Sequence, residues 1–158
     1  MIQNMIRAAR LDKEFYDTVE HDDTYTPQAV AVVVVASVLS ALGLWFVLDR
    51  SFFRLVVLGT IAALLGWLVW AALTYWVGTR LFDGTADYGE MLRVTGFAQA
   101  PRVLGIIPFL GWIGAIWALV ATIVAVREGL DVSLGKAIGA SVIGWIGYIV
   151  LSAILPII

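Results

Sequence analysis

Three groupings of polar residues have types and spacings that bear on chemistry. The first is Gln99, Pro101 and Arg102, set within an otherwise apolar stretch. An arginine at bilayer depth costs at least ~2.5–3.5 kcal/mol, so its presence asks for a functional reason. Pro101 frees the carbonyl one turn earlier, and Gln99 adds an amide beside it. An interrupted helix of this kind suits a lipid phosphate or another anion, and a small transporter or channel could be built around it. A plainer reading stands beside that one. Arg102 lies six residues before Pro108, about 9 Å along a helix, and its side chain can snorkel over much of that distance.

The second grouping is Glu20-His21-Asp22-Asp23. An imidazole among carboxylates has the donor types of a cation or pH-sensing site. No second cluster completes a site, so the expectation is a solvated linker and no metal or cofactor is assigned. The third grouping is a candidate partner face, made of Phe15 and Tyr16 in the head with Asp87, Glu90, Arg93, Arg127, Glu128 and Lys136 in two later polar segments.

Other chemistry is disfavoured. The chain has no cysteine and one histidine, which removes thiol catalysis and multi-histidine metal or haem sites. No Ser–His–Asp order, HExxH, phosphate loop or intramembrane carboxylate pair occurs. The expectation is a protein that is not an enzyme. Net charge is −2, so no basic field exists for nucleic acid.

The elements that position these residues follow from composition. Of 158 residues, 61% are hydrophobic and 14% charged, against ~25% charged in soluble domains. A chain this short cannot hide that much apolar surface from water, so lipid is its expected solvent. Residues 1–27 carry three bases and six acids. They form a polar head, distinct from the apolar body at 28–158. The head lacks the apolar core and cleavage site of a signal peptide.

A hydrocarbon core ~30 Å thick needs ~20 helical residues. Uncharged runs at 29–48, 55–79, 103–126 and 137–158 each reach that length. Valine runs such as Val32–Val35 become helical in lipid, where a lone strand would leave backbone groups unpaired. The region 89–127 allows one span or two, broken at Pro108–Gly111. The positive-inside rule arbitrates. Five spans place Arg7, Arg10, Lys13, Arg80, Arg93, Arg127 and Lys136 inside, with Arg50 and Arg54 outside. Four spans would move Arg127 and Lys136 outside and bring Arg102 inside, a weaker asymmetry. The expected fold is therefore an all-α bundle of five membrane helices, at about 28–48, 54–80, 89–108, 110–127 and 137–157. The third is interrupted, the N-terminus is cytoplasmic and the C-terminus is outside.

Within the head, Ile2, Met5, Ile6 and Ala9 recur at helical spacing, followed by Leu11, Phe15 and Val19. This short amphipathic pattern suits a helix lying in the interface, or one packed on the inner ends of the spans. Trp45, Trp76 and Trp112 fall near expected span ends. Small residues four apart, at Ala36/Ser40, Ala62/Gly66, Gly135/Gly139 and Ala140/Gly144, allow close helix approach. Packing within the chain is expected before dimerisation.

Several segments together resemble the Yip family, the Ypt/Rab-interacting membrane proteins and their prokaryotic relatives. They are Leu11 to Glu20 (LDKEFYDTVE), Gly96 to Pro101 (GFAQAP), Pro108 to Gly111 (PFLG) and Val126 to Ala137 (VREGLDVSLGKA). The resemblance runs from about Leu11 to about Ile146. It implies five membrane helices, a cytosolic N-terminus and no known chemistry. Eukaryotic members are linked to Rab GTPases and vesicle transport, but about 27 residues precede the first span here. That argues against GTPase binding and for similarity to a prokaryotic member. The expected function is membrane organisation or binding of a membrane or trafficking partner. The expected partners are lipid, a membrane protein or a second copy.

Overall fold

The computed structural model describes residues 1–47 and 51–154, Ser152 by its backbone alone. Asp49 and Arg50, and the expected span ends at 48 and 155–157, lie outside the described residues. The described chain is helical and contains no strand. Two short helices, α1 (Ile2–Ala9) and α2 (Lys13–His21), precede a 3-10 turn at Asp23–Tyr25. Then come α3 (Thr26–Trp45), α4 (Gly59–Leu81), α5 (Tyr88–Phe97), α6 (Gly111–Gly129) and α7 (Leu134–Ile154). A π-helical turn, Arg54–Leu58, leads into α4, and a 3-10 segment, Ala100–Ile106, follows α5.

Among the described residues, four helical stretches are long and apolar enough to cross a membrane: Asp23–Trp45, Arg54–Leu81, Gly111–Gly129 and Leu134–Leu151. They overlap the four uncharged runs, the third starting at Gly111 where the run starts at 103. Pro27 sits in the first turn of α3, where its missing N–H costs nothing. Large apolar side chains point outward from these helices, including Trp76, Trp112, Trp145, Ile116 and Ile146. Only a lipid surround makes such an exterior stable.

The third expected span, 89–108, is not among these four stretches; its first residues form the short helix α5, which ends before Pro101. Proline cannot donate to Phe97 and its ring crowds that carbonyl, so the α-helix stops. The chain tightens into i+3 bonding, with the Arg102 N–H donating to the Gln99 carbonyl at 2.9 Å.

Small residues set the spacing between helices. A Cβ on Gly43 of α3 would lie 1.7 Å from the Gly105 carbonyl oxygen. One on Gly114 of α6 would lie 2.7 Å from the Pro101 carbonyl oxygen. The 3-10 segment is thus wedged backbone to backbone between α3 and α6. Between α4 and α7, Gly66 faces the Tyr148 hydroxyl and Gly144 faces Thr74. These two glycines serve packing inside the chain, as expected. Gly135 meets nothing within 4 Å.

One core joins head and body. Ala8, Phe15, Tyr16 and Val19 are buried with Val94, Phe97, Ala121, Ala125 and Leu130.

Candidate functional site

The head is held on the bundle from both of its ends. Asp12 caps α2 by accepting from the Phe15 N–H at 3.1 Å, and Arg7 Nε donates to its other oxygen at 2.6 Å. That hydrogen bond holds the Asp12 carboxyl below its ordinary range. The Phe15 ring meets Phe97 edge-on at 5.1 Å, and the Arg7 guanidinium lies 5.1 Å from its face. The Tyr16 hydroxyl donates to the Ala8 carbonyl, and burial pushes its pKa up. Trp117 Nε1 donates to the Ala9 carbonyl at 2.6 Å. Beside it, Met5 and Ile6 of α1 join Pro101 and Leu104 around an apolar groove of about 640 Å³.

Arg93 secures the other end of α2. It projects from α5 and is 4% exposed. Its Nε donates to the Val19 carbonyl at 2.9 Å. Nη2 donates to the Glu20 carbonyl, and Nη1 to Asp23 Oδ1 at 2.5 Å. The last carbonyls of a helix have no partner within it and carry the negative end of its dipole. A buried guanidinium satisfies two of them at once. The first turn of α5 is fixed by a capping box: Asp87 Oδ1 accepts from the Glu90 N–H at 2.8 Å, and Glu90 Oε2 accepts from the Asp87 N–H at 2.6 Å.

Two further loops join this end of the molecule. The Thr85 hydroxyl donates to Asp131 Oδ2 at 2.9 Å, and its N–H to the Leu130 carbonyl. Lys136 Nζ donates to the Phe82 carbonyl at 2.9 Å and to Asp83 Oδ2 at 3.1 Å. Arg127 lies 3.7 Å from Glu128. Asp83 and Asp131 take left-handed backbone conformations (φ 58° and 54°), and these end α4 and α6 sharply. The result is a polar platform made of the end of α2, the 82–87 loop, the start of α5 and the 130–133 loop.

Within this platform Glu20 is anomalous. It is 3% exposed, and its Oε2 has no hydrogen-bond partner. Burial, and then the negative charge of Asp131, push its carboxyl up to about 8, with His21 opposing. His21 Nδ1 lies 3.4 Å from Glu20 Oε1 and 2.9 Å from the Asp17 carbonyl oxygen. Those contacts, the carbonyl first, raise the imidazole pKa.

The structure therefore sorts the expected partner-face residues into two roles. Asp87, Glu90, Arg127, Glu128 and Lys136 lie on or beside the platform. Phe15, Tyr16 and Arg93 are buried under it and position it, because the head folds back on the bundle. His21 belongs to a cluster rather than to a bare linker. Glu20 was not singled out from sequence as a member of the packed face, yet a signal exists. It lies four residues after Tyr16 and so on the same side of α2.

The second polar feature is at the opposite end. Arg102 Nη1 donates to Gln99 Oε1 at 3.1 Å, and its carbonyl accepts from the Ser40 hydroxyl at 3.0 Å. Arg102, Ser40, Pro108, Phe109 and Trp112 line a cavity of about 380 Å³. Pro101 is buried, while Arg102 is exposed. The three residues adjoin as expected, with the arginine alone presented at the cavity.

The family model described as the Yip1 domain matches residues 10–154. No curated protein and no solved structure matches the chain.

Proposed function

Because the chain belongs to the Yip1 domain family and is a multi-pass membrane protein, we propose that it is a non-enzymatic scaffold of the cytoplasmic membrane. In this reading it crosses five times, N-terminus inside and C-terminus outside. It organises membrane, or holds another membrane protein, through its inner polar platform. The observation that carries this is the platform itself. Three chain segments distant in sequence are locked together there by Arg93, Thr85 and Lys136, leaving Asp83 and Asp87 exposed and Glu90 half-buried beside them.

The same bonds support the fifth crossing. Thr85 and Asp131 are 2.9 Å apart and so share one side of the membrane. The α6 helix between them accounts for one crossing. In this reading residues 88–110 supply another, which brings the chain back. Gly105 touches Gly43, seventeen residues along α3 from Thr26, a rise of about 26 Å. Crossing as α-helix and then 3-10 helix is consistent with that span. The charge asymmetry agrees with the same orientation.

Photo-cross-linkers placed at Asp87, Glu90 and Glu128 in native membrane test the function. Discrete protein adducts, or a cross-linked homodimer, are expected. Lipid adducts alone at every position would contradict it. The cavity at Arg102 supports transport as a second reading. It requires a solute or ion flux into reconstituted vesicles that Arg102→Ala abolishes, and a wild type silent across a broad solute panel would dismiss it.

A further inference from the structure

We propose that Asp17, Glu20 and His21 form a binding site for a divalent transition metal of the zinc type at the inner end of α2. Glu20 and His21 lie three and four residues after Asp17, so each side chain neighbours that of Asp17 across one helical turn. One ligand atom from each lies within 4.8 Å of the others. Zinc bonds of about 2.0–2.2 Å to nitrogen and oxygen would bring such atoms to about 3.4 Å apart. Asp17 and His21 are exposed, so rotation of their side chains closes that gap.

The observation that points to a ligand is Glu20. Its carboxylate is almost fully removed from solvent, faces the other two donors and leaves Oε2 without a partner. A buried acceptor in that state is expensive unless something cationic or a proton sits against it. The surroundings favour positive charge there, whether a proton or a metal ion that displaces it. Asp131, Asp17 and Glu90 all add negative potential at Glu20, and the C-terminal end of α2 adds more. The nearest guanidinium, Arg93, is directed to the Val19 and Glu20 carbonyls and to Asp23, not to the Glu20 carboxylate. Imidazole with two carboxylates is a borderline donor set that suits zinc better than calcium or magnesium. Three protein ligands would leave a fourth position for water.

The chain has one histidine and no cysteine, which makes the test specific. Full-length, untagged protein is treated with chelator in phosphatidylcholine nanodiscs and titrated with Zn²⁺. One saturable equivalent is expected, with a shift of the single imidazole resonance. His21→Ala, Glu20→Gln and Asp17→Asn each weaken binding tenfold or more, while Asp22→Asn leaves it unchanged. The His21 and Asp17 variants change exposed side chains, so they report even if Glu20→Gln does not fold. No saturable binding, or binding indifferent to His21→Ala and Asp17→Asn, overturns the proposal and leaves Glu20 as a buried acid holding a proton.

Discussion

Replacing Arg93 with methionine keeps most of the side-chain volume and removes every donor. Two buried carbonyls, those of Val19 and Glu20, then lose their partner. A hydrogen bond from a charged donor contributes about 1.5–3 kcal/mol, which sets a gross loss of about 3–6 kcal/mol. The bond to Asp23 adds little, because that side chain is 92% exposed and such pairs are worth at most ~1 kcal/mol. Methionine recovers part of the loss, since it removes the desolvation cost of a buried guanidinium. The net expectation is about 2–4 kcal/mol, lost from docking of the head. That is roughly a 30- to 700-fold rise in the undocked population. Hydrogen exchange in nanodiscs reads it directly, as a matching loss of protection at the amides of α2. Asp23→Asn should cost under ~1 kcal/mol in the same assay. If Arg93→Met exchanges like wild type, the carbonyl cap does not hold the head. If Asp23→Asn matches Arg93→Met, the ion pair dominates and the reasoning from burial fails.

Four further outcomes are expected. The folded chain holds the Glu20 proton more tightly than the unfolded one, with a carboxyl near 8 against an ordinary 4.5. The Glu20 contribution to head docking, followed by exchange in the presence of chelator, should therefore be lost as pH rises from about 4.5 to about 8, while the depressed Asp12 carboxyl loses its contribution only at acid pH. Glu20→Gln should flatten that dependence. Gly43→Ala places a methyl group 1.7 Å from the Gly105 carbonyl oxygen and should lower stability by about 1–3 kcal/mol or more. Gly135→Ala meets open space in a helix and should raise stability by up to ~1 kcal/mol in the same thermal unfolding series. Trp117→Phe removes the donor to the Ala9 carbonyl and should loosen α1 by about 1 kcal/mol, seen as faster exchange at Met5 to Ala9.

The apolar architecture was legible because lipid imposes a simple rule on sequence. Arg54 and Arg80 bracket one span, and Arg102 and Lys136 border two others. The α-helix fails near Pro101 for the backbone reason that proline announces. Gly66 and Gly144 announce close approach through small partners four residues away, though not which neighbours they meet. Gly66 turns out to face Tyr148, and Gly144 to face Thr74. The docking of the head was less legible. Phe15 and Tyr16 are as compatible with a partner as with the chain's own core, and only the position of Phe97 decides. Arg93 was hardest to read. Its partners are backbone carbonyls, which every residue has, so no residue pattern marks them. His21 and Glu20 were legible together as ligand types, but Asp17 joins them only once α2 is helical, and the burial of Glu20 is not visible in the sequence.

The chain has no native cysteine, so a single introduced thiol reports its side of the membrane without background. Ser133→Cys is the decisive position, because it follows Asp131, the partner of Thr85, and precedes Lys136. Labelled in intact cells with a membrane-impermeant maleimide, it should remain unreactive until the membrane is permeabilised, as an inner platform requires. Full labelling from outside in intact cells would put the platform, with the 82–87 loop that Thr85 ties to it, on the outer side, and would contradict the inner face and the cytoplasmic N-terminus.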